Sequence, residues 1–256
     1  PRSNWGQSPM GPPYHAAQGD LSDSAFQSGI RKGANDYHRK NYGVDFEYDE
    51  FIPLFRAEKY QPGEWADLFV EAGARYVVLT AKHHSGFCLW DTQQTDYNAV
   101  QRGPGRDLVR EYVEACREYG LKVGFYHSLM DWHHPDDLPR RGWEKDRSAE
   151  GADMDRFVEY LKNQVRELVA NYGEIGVLWF DGEWIPEWTH EHGREMYQYI
   201  RSLQPDIIIN NRVDKGRQGM QGMKSTQYPG AYNNQVYFLQ GASICLVKKC
   251  NGVTCK

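Results

Sequence analysis

The chain lacks the features that mark membrane, nucleic-acid-binding and nucleotide-binding proteins. No run approaches the roughly 18 apolar residues that a membrane span needs. The net charge is −5 over 256 residues, so there is no basic excess with which to bind nucleic acid or an anionic membrane surface. No G-x-G-x-x-G or Walker sequence follows any predicted strand, which argues against a nucleotide site. We therefore expect a globular protein with neither a nucleic-acid nor a membrane partner.

Cysteine is scarce, with five residues in all. Cys88 and Cys116 are predicted to be buried thiols rather than disulfide partners. The other three fit no zinc pattern, and one local disulfide among them is an open alternative; they are Cys245, Cys250 and Cys255.

No secretory signal pattern is visible at the start. Because the sequence begins with proline rather than methionine, that says little about the compartment.

The chain divides into three parts by composition. Residues 1–35 are rich in Pro, Gly, Ser and Gln without any period, which predicts an irregular N-terminal segment. Residues 36–223 carry alternating strand and helix patterns and predict a single domain. Residues 224–256 lose that alternation and keep one short apolar patch, so we interpret them as an atypical C-terminal tail.

The middle part predicts an α/β fold with a parallel sheet. Helices are expected between Pro62 and Gly73 and over Asp107–Tyr119, Met154–Tyr172 and Glu191–Leu203. Continuous apolar runs predict buried strands at Tyr76–Thr80, Lys122–Tyr126, Gly176–Phe180 and Asp206–Asn210. The long polar loops that follow the strands favour a (β/α)8 TIM-like barrel over a Rossmann sheet. Only four strands are recognisable, so the predicted barrel is partial, with its first and last strands unidentified.

Chemistry is expected at the carboxyl ends of three of these strands. The predicted strand Gly176–Phe180 is followed directly by the carboxylate of Asp181 and then by Gly182. An aspartate here could simply cap the next helix, but that helix begins several residues later, so a nucleophile or acid is the alternative. Glu183 is a candidate acid/base, because glycoside hydrolysis uses two carboxylates. Neighbours on one loop, however, need not face the same substrate.

Polar and aromatic side chains gather at the same predicted edge. His83 and His84 follow the first strand and suit hydrogen bonding to ligand hydroxyls better than joint chelation of one metal ion. Tyr126 is either a core tyrosine or a hydrogen-bond donor to a carboxylate or ring oxygen. Trp179 lies on the same face of its strand as Asp181, and Trp90 is expected to wall a pocket.

These segments resemble the α-L-fucosidases of glycoside hydrolase family 29. The resemblance covers roughly residues 37–223. It is carried by Lys82-His83-His84-Ser85-Gly86-Phe87, by Gly120 to Tyr126, by Leu178-Trp179-Phe180-Asp181-Gly182 and by Asn210-Asn211-Arg212.

The resemblance implies a retaining glycoside hydrolase that releases terminal α-L-fucose from glycans or glycoconjugates, with no cofactor and no metal. Asp181 falls on the family's nucleophile. His83 and His84 fall on ligands of the fucose hydroxyls, Tyr126 on a tyrosine beside the nucleophile, and Trp179 and Trp90 on pocket aromatics. The family also suggests a secreted, periplasmic or lysosomal location.

Two departures from the family keep alternatives open. The first barrel strand is not recognisable, and the acid/base glutamate would fall in the tail after Met223, where no Glu occurs. A non-catalytic fucose-binding homologue is therefore the main alternative. A metal-dependent hydrolase that uses His83, His84, His127 and His133 fits less well, because no His-x-His stands at a strand end.

Overall fold

A computed structural model describes most of the central part of the chain. It covers residue 33, residues 36–139 and 147–215, and the backbone of two short strands at 237–238 and 244–246. Nearly all of the predicted N-terminal segment and of the predicted tail therefore lie outside the described residues, as do the side chains of the three C-terminal cysteines.

Strands and helices alternate along the described chain as the sequence predicts. After a 3-10 helix at Tyr48–Leu54, the helices are α1 (Pro62–Glu71), α2 (Leu108–Glu118), α3 (Met154–Ala170) and α4 (His190–Leu203). The strands are β1 (Tyr76–Lys82), β2 (Lys122–Ser128), β3 (Val177–Asp181), β4 (Ile208–Ile209), β5 (Tyr237–Phe238) and β6 (Ile244–Leu246). Helix boundaries follow from capping: the Asp107 side chain accepts from the Arg110 N–H at α2, and Thr189 accepts from His192 at α4.

The strands form one sheet in the order β4-β3-β2-β1-β6-β5. Strands β1 to β4 are parallel neighbours, which confirms the predicted parallel strands. β6 is antiparallel to β1, and β5 is antiparallel to β6. The one apolar patch of the tail therefore extends the sheet beyond β1. Among the described residues no pairing joins β4 to β5, so the sheet is part of a barrel rather than a closed one.

The two faces of the sheet are packed differently. The main core lies between the sheet and the helices and includes Val77, Leu79, Phe125, Leu178 and Phe180. A small cluster occupies the opposite face, where Val78, Tyr126 and Val177 are buried and Tyr76 and Trp179 are partly buried. In a barrel the second face is the interior, and its side chains lead upward to the carboxyl ends of the strands.

Three details correct or extend the sequence predictions. β1, β2 and β3 each run past their predicted ends, so that Lys82, Ser128 and Asp181 are strand residues. The spacing of Trp65, Leu68, Phe69 and Ala72 predicts one inward face for α1, but Leu68 is exposed, whereas Ala66 and Phe69 are buried. Cys88 and Cys116 are free buried thiols, as predicted.

Among the described helices, none combines the length and apolar character needed to cross a bilayer.

Candidate active site

The carboxylate of Asp181 stands at the last position of β3 and contacts side chains from three directions. The Tyr126 hydroxyl donates to its Oδ2 at 2.9 Å. Arg212 Nη1 donates to the other oxygen, Oδ1, and His84 Nε2 lies 3.9 Å from Oδ2. The side chain is 17% exposed, so the group is held in place but still open to a ligand.

Tyr126 is placed as a donor by the sheet register and by burial. Its strand position pairs with Trp179 on β3, two residues before Asp181, so the two side chains share a face. Burial raises the pKa of the Tyr126 hydroxyl above its usual range, and the charge of Asp181 raises it further. The hydroxyl therefore stays protonated at neutral pH and donates to the carboxylate.

His84 is oriented by the last residue of β2 and by the loop that follows it. Its Nδ1 is 2.6 Å from the Ser128 hydroxyl oxygen, and that oxygen also accepts from the Met130 N–H at 2.9 Å. The carbonyl of His84 accepts from the Trp132 N–H at 2.8 Å, and the His84 ring packs against the Trp132 ring with centroids 5.4 Å apart. These contacts leave Nε2 turned toward Asp181.

His83 lies beside His84 rather than on the opposite side of the strand. The chain leaves β1 in a turn in which the Gly86 N–H donates to the His83 carbonyl at 3.0 Å, so strand alternation no longer applies. The two imidazole centroids are 4.3 Å apart. The His83 ring stacks on the Tyr126 ring at 5.6 Å, with planes 9° apart. Both histidines therefore border the same space as Asp181.

Of the two tryptophans predicted to shape the pocket, the structure brings only one to the site. Trp179 is partly buried beside Tyr126 on the inner face of the sheet. Trp90 is fully buried in the main core, and its Nε1 donates to Glu167 Oε2 at 2.9 Å. The loop between β1 and α2 turns it toward the helices, so a role for Trp90 in walling the pocket is not supported by this structure.

Arg212 is a site residue that the sequence analysis did not single out. It belongs to the motif Asn210-Asn211-Arg212, two residues beyond β4. A 3-10 turn at Asn211–Val213 brings it back to Asp181. The available signal was a cationic residue two positions after the predicted strand. The turn that brings its side chain to Asp181 does not follow from strand periodicity.

Glu183, the candidate acid/base, is only 2% exposed. It lies close enough to Tyr126 for its charge to raise the pKa of the tyrosine. Its burial argues against direct protonation of a departing group by this carboxyl in the described structure.

A buried ion pair lies behind the histidines. Lys82 Nζ is 3.3 Å from Asp131 Oδ2 and donates to Gln164 Oε1 at 2.9 Å. The Tyr160 hydroxyl donates to the same Asp131 oxygen at 3.0 Å. Burial raises the pKa of Asp131, but Lys82 and two nearby histidines outweigh it and hold that pKa below its usual value. The pair ties the end of β1 to the loop after β2 and to α3.

The histidines of the metal-site alternative do not converge. His127 is fully buried on the helix side of the sheet, 3.2 Å from Gln164 Oε1, and His133 stacks on Tyr97 at 3.7 Å. Neither joins His83 and His84. Over the described ranges, no group of three or more His, Cys, Asp or Glu side chains is arranged to hold a metal ion.

Comparison with known proteins identifies the family. The sequence profile of the alpha-L-fucosidases matches residues 14–239. The alpha-L-fucosidase of Dictyostelium discoideum is 33% identical over 180 residues, which are 69% of this chain and 38% of that protein. The chain thus spans less than two fifths of the length of this curated relative.

Solved structures agree with the sequence comparison. The Thermotoga maritima alpha-fucosidase in complex with fucose is similar at a TM-score of 0.58 and 41% identity, over 70% of this chain and 42% of that one. A Thermotoga maritima alpha-L-fucosynthase in complex with alpha-L-Fuc-(1-2)-beta-L-Fuc-N3 matches at 0.57 and 42% identity, over 70% and 40%. The likeness confirms the predicted (β/α)8-type fold, of which the described residues form a part. The chain therefore belongs to the α-L-fucosidase family, glycoside hydrolase family 29.

Proposed function

We propose that this chain supplies the nucleophile and much of the sugar pocket of a retaining glycoside hydrolase that releases terminal α-L-fucose from glycans or glycoconjugates. The observation that carries the proposal is the setting of Asp181: a partly exposed carboxylate at a strand end, bound by Tyr126 and Arg212 and bordered by His84. The family match and the fucose complex of the Thermotoga relative support the choice of sugar.

The proposed reaction has two steps at the anomeric carbon. Asp181 attacks C1 and forms a C–O bond while the bond to the leaving oxygen breaks, and the departing oxygen takes a proton from a general acid. Water then attacks C1 and passes one proton to the group that acted as the general acid, which is now a general base. The carboxylate is released and fucose forms with its original configuration. Arg212 and Tyr126 keep the attacking carboxylate in one orientation. His83 and His84 supply ring nitrogens for the sugar hydroxyls while charge develops at the ring.

The proton donor is not assigned to any described residue, since Glu183 is buried. General acid catalysis contributes about 10²–10⁴-fold to the reaction rate. A substrate whose leaving group needs no proton therefore tests the nucleophile separately from the acid. Fluoride is such a leaving group, because it departs as an anion without protonation.

The test is covalent trapping with 2-deoxy-2-fluoro-α-L-fucosyl fluoride. The 2-fluoro group slows the second step, so the fucosyl group should accumulate on Asp181. Intact-protein mass spectrometry should show one added 2-fluorofucosyl group, and peptide mapping should place it on residue 181. Asp181→Asn is the matched control and should stay unlabelled while still folding, since it keeps a similar shape.

Two outcomes contradict the proposal in different ways. Labelling of another carboxylate would remove Asp181 as the nucleophile. Saturable fucose binding without any labelling would favour the non-catalytic fucose-binding alternative.

A further inference from the structure

An exposed tryptophan stands beside the candidate active site, in the loop that follows β3. Trp184 is 45% exposed, three residues after Asp181. The neighbouring apolar residues of the same loop are buried, Ile185 at 5% and Trp188 at 0%. Leaving nearly half of an indole in water forgoes favourable apolar burial, so Trp184 differs from Ile185 and Trp188, the other large apolar residues of its loop.

The loop is anchored on the C-terminal side of Trp184. The Trp188 indole N–H donates to the Val213 carbonyl at 3.0 Å, and Lys215 Nζ donates to the Ile185 carbonyl. On the other side, Gly182 packs closely against Met130. The backbone therefore presents Trp184 at a fixed place, and a ligand that used it would have little loop entropy to remove.

Trp184 is one side chain away from the nucleophile. Its ring meets the His84 ring edge to face, with centroids 5.8 Å apart and planes 85° apart. His84 in turn lies 3.9 Å from the Asp181 carboxylate. The two inner side chains of this row are little exposed, Asp181 at 17% and His84 at 6%, whereas Trp184 at its outer end is 45% exposed. The row leads from the site of bond cleavage to solvent.

The ligand group that extends outward from a cleavage site is the one to which the terminal sugar is linked. The apolar C–H face of a pyranose covers an indole face well, while its hydroxyls remain in water. On this basis, and resting on the proposed function, we propose that Trp184 is the platform for the sugar next to the fucose. The site would then favour fucosyl-oligosaccharides over fucosides with a small aglycone.

The proposal can be tested by binding alone, without turnover. The full chain would be titrated calorimetrically with methyl α-L-thiofucoside and with three sulfur-linked disaccharides, which a glycosidase does not cleave: Fuc-(1-2)-Gal, Fuc-(1-3)-GlcNAc and Fuc-(1-6)-GlcNAc. The wild type should bind at least one disaccharide about tenfold more tightly than the thiofucoside, the ratio that one aromatic stacking contact supplies.

Variants then assign the difference to one side chain. Trp184→Ala should remove most of the tenfold preference while changing thiofucoside affinity less than about twofold. Trp184→Phe keeps an aromatic face and should keep most of the preference. Leu68→Ala, which truncates another exposed apolar residue at 58% exposure on α1, should change neither affinity.

Each remaining outcome overturns a stated part of the argument. Equal affinity of the wild type for thiofucoside and disaccharides would overturn the platform and leave the fucose site standing. Equal loss of both ligands in Trp184→Ala would make Trp184 part of the fucose pocket instead. If the substitution changed only the oligomeric state, the exposed ring would be a protein contact. Absence of any sugar binding would overturn this proposal and the proposed function together.

Discussion

Side chains that contact Asp181 come from the turn after β1, from β2 and from the turn after β4, so the position of one carboxylate depends on several distant segments. Tyr126 fixes one oxygen and Arg212 the other, and the charged donor of Arg212 makes the second contact the stronger kind. A freely rotating carboxylate would present its attacking oxygen in many orientations. A carboxylate held at both oxygens presents few, which is the condition for efficient attack.

Sequence reasoning at the residue scale succeeded where a side chain follows from strand alternation. Tyr126, Trp179 and Asp181 share a face because their strands pair in register, and a strand pattern predicts this. It does not extend to Trp90 and Arg212, which lie in a loop and in a 3-10 turn. There the direction of a side chain depends on local hydrogen bonds rather than on a period of two.

His127 gives a pH prediction at the residue scale. Burial, together with the nearby charge of Lys82, holds its pKa well below 6.5. The folded protein therefore keeps the ring neutral, whereas the unfolded chain binds a proton below about pH 6.5. Stability should consequently fall as the pH drops through that value, by about 1 kcal/mol between pH 6.5 and 5.5.

The check is urea denaturation of the wild type and of His127→Asn at both pH values. The variant should lose about 1 kcal/mol less over this interval, whatever its stability at pH 6.5. His134, whose pKa is also lowered, contributes equally to both proteins and cancels in the difference. Identical losses in the two proteins would show that His127 takes up its proton in the folded state.

At the scale of elements, the contact between the end of β1 and the loop after β2 determines where His83 and His84 lie. Lys82 ends β1, and its partner Asp131 lies in the loop after β2. In the same loop, the Trp132 N–H donates to the His84 carbonyl. The sequence predicted both strands but ended each of them early. Extended strand ends are stabilised by tertiary contacts such as this buried pair, which local propensity does not include.

Gly86 lies where these two elements meet, and it provides a prediction. Its φ is +85°, and a Cβ added there would lie 2.1 Å from Asp131 Oδ1. Gly86→Ala should therefore displace the Asp131 carboxylate from Lys82 as well as strain the backbone. Disrupting a buried ion pair costs about 3–5 kcal/mol, so we expect the free energy of unfolding to fall by about 3 kcal/mol or more. Binding of the thiofucoside should also weaken, because His84 moves.

Gly105→Ala is the matched control. Gly105 also has a positive φ, +72°, but nothing lies within 4 Å of its added Cβ. The free energy of unfolding of Gly105→Ala should fall only by the cost of the backbone strain, about 1–2 kcal/mol. The variant should bind the thiofucoside as the wild type does. Unfolding curves that shift by the same amount for both variants would mean that Asp131 moves aside without cost.

At the scale of the whole molecule, the sheet has two different edges. Beyond β1 it continues into β6 and β5, two short antiparallel strands from the part of the sequence with no strand–helix alternation. The pairing of β6 with β1 joins residues far apart in sequence. No local pattern predicts such a pairing, because its stability comes from a strand edge that only the folded sheet provides.

The opposite edge, at β4, gives the last prediction. β4 contains only Ile208 and Ile209, it pairs with β3 alone among the described strands, and Ile208 is 47% exposed. An apolar residue on a strand edge invites pairing with another chain. We therefore expect the isolated chain to self-associate as its concentration rises, and sedimentation velocity over a concentration series should show it. Ile208→Lys should reduce the association, because a charged edge opposes strand pairing.

Val44→Lys adds the same charge at a residue that is 76% exposed and outside the sheet, so it should leave the association nearly unchanged. Equal reductions by both variants would trace the effect to net charge rather than to the β4 edge, and a monomer at every concentration would show that this edge is already protected.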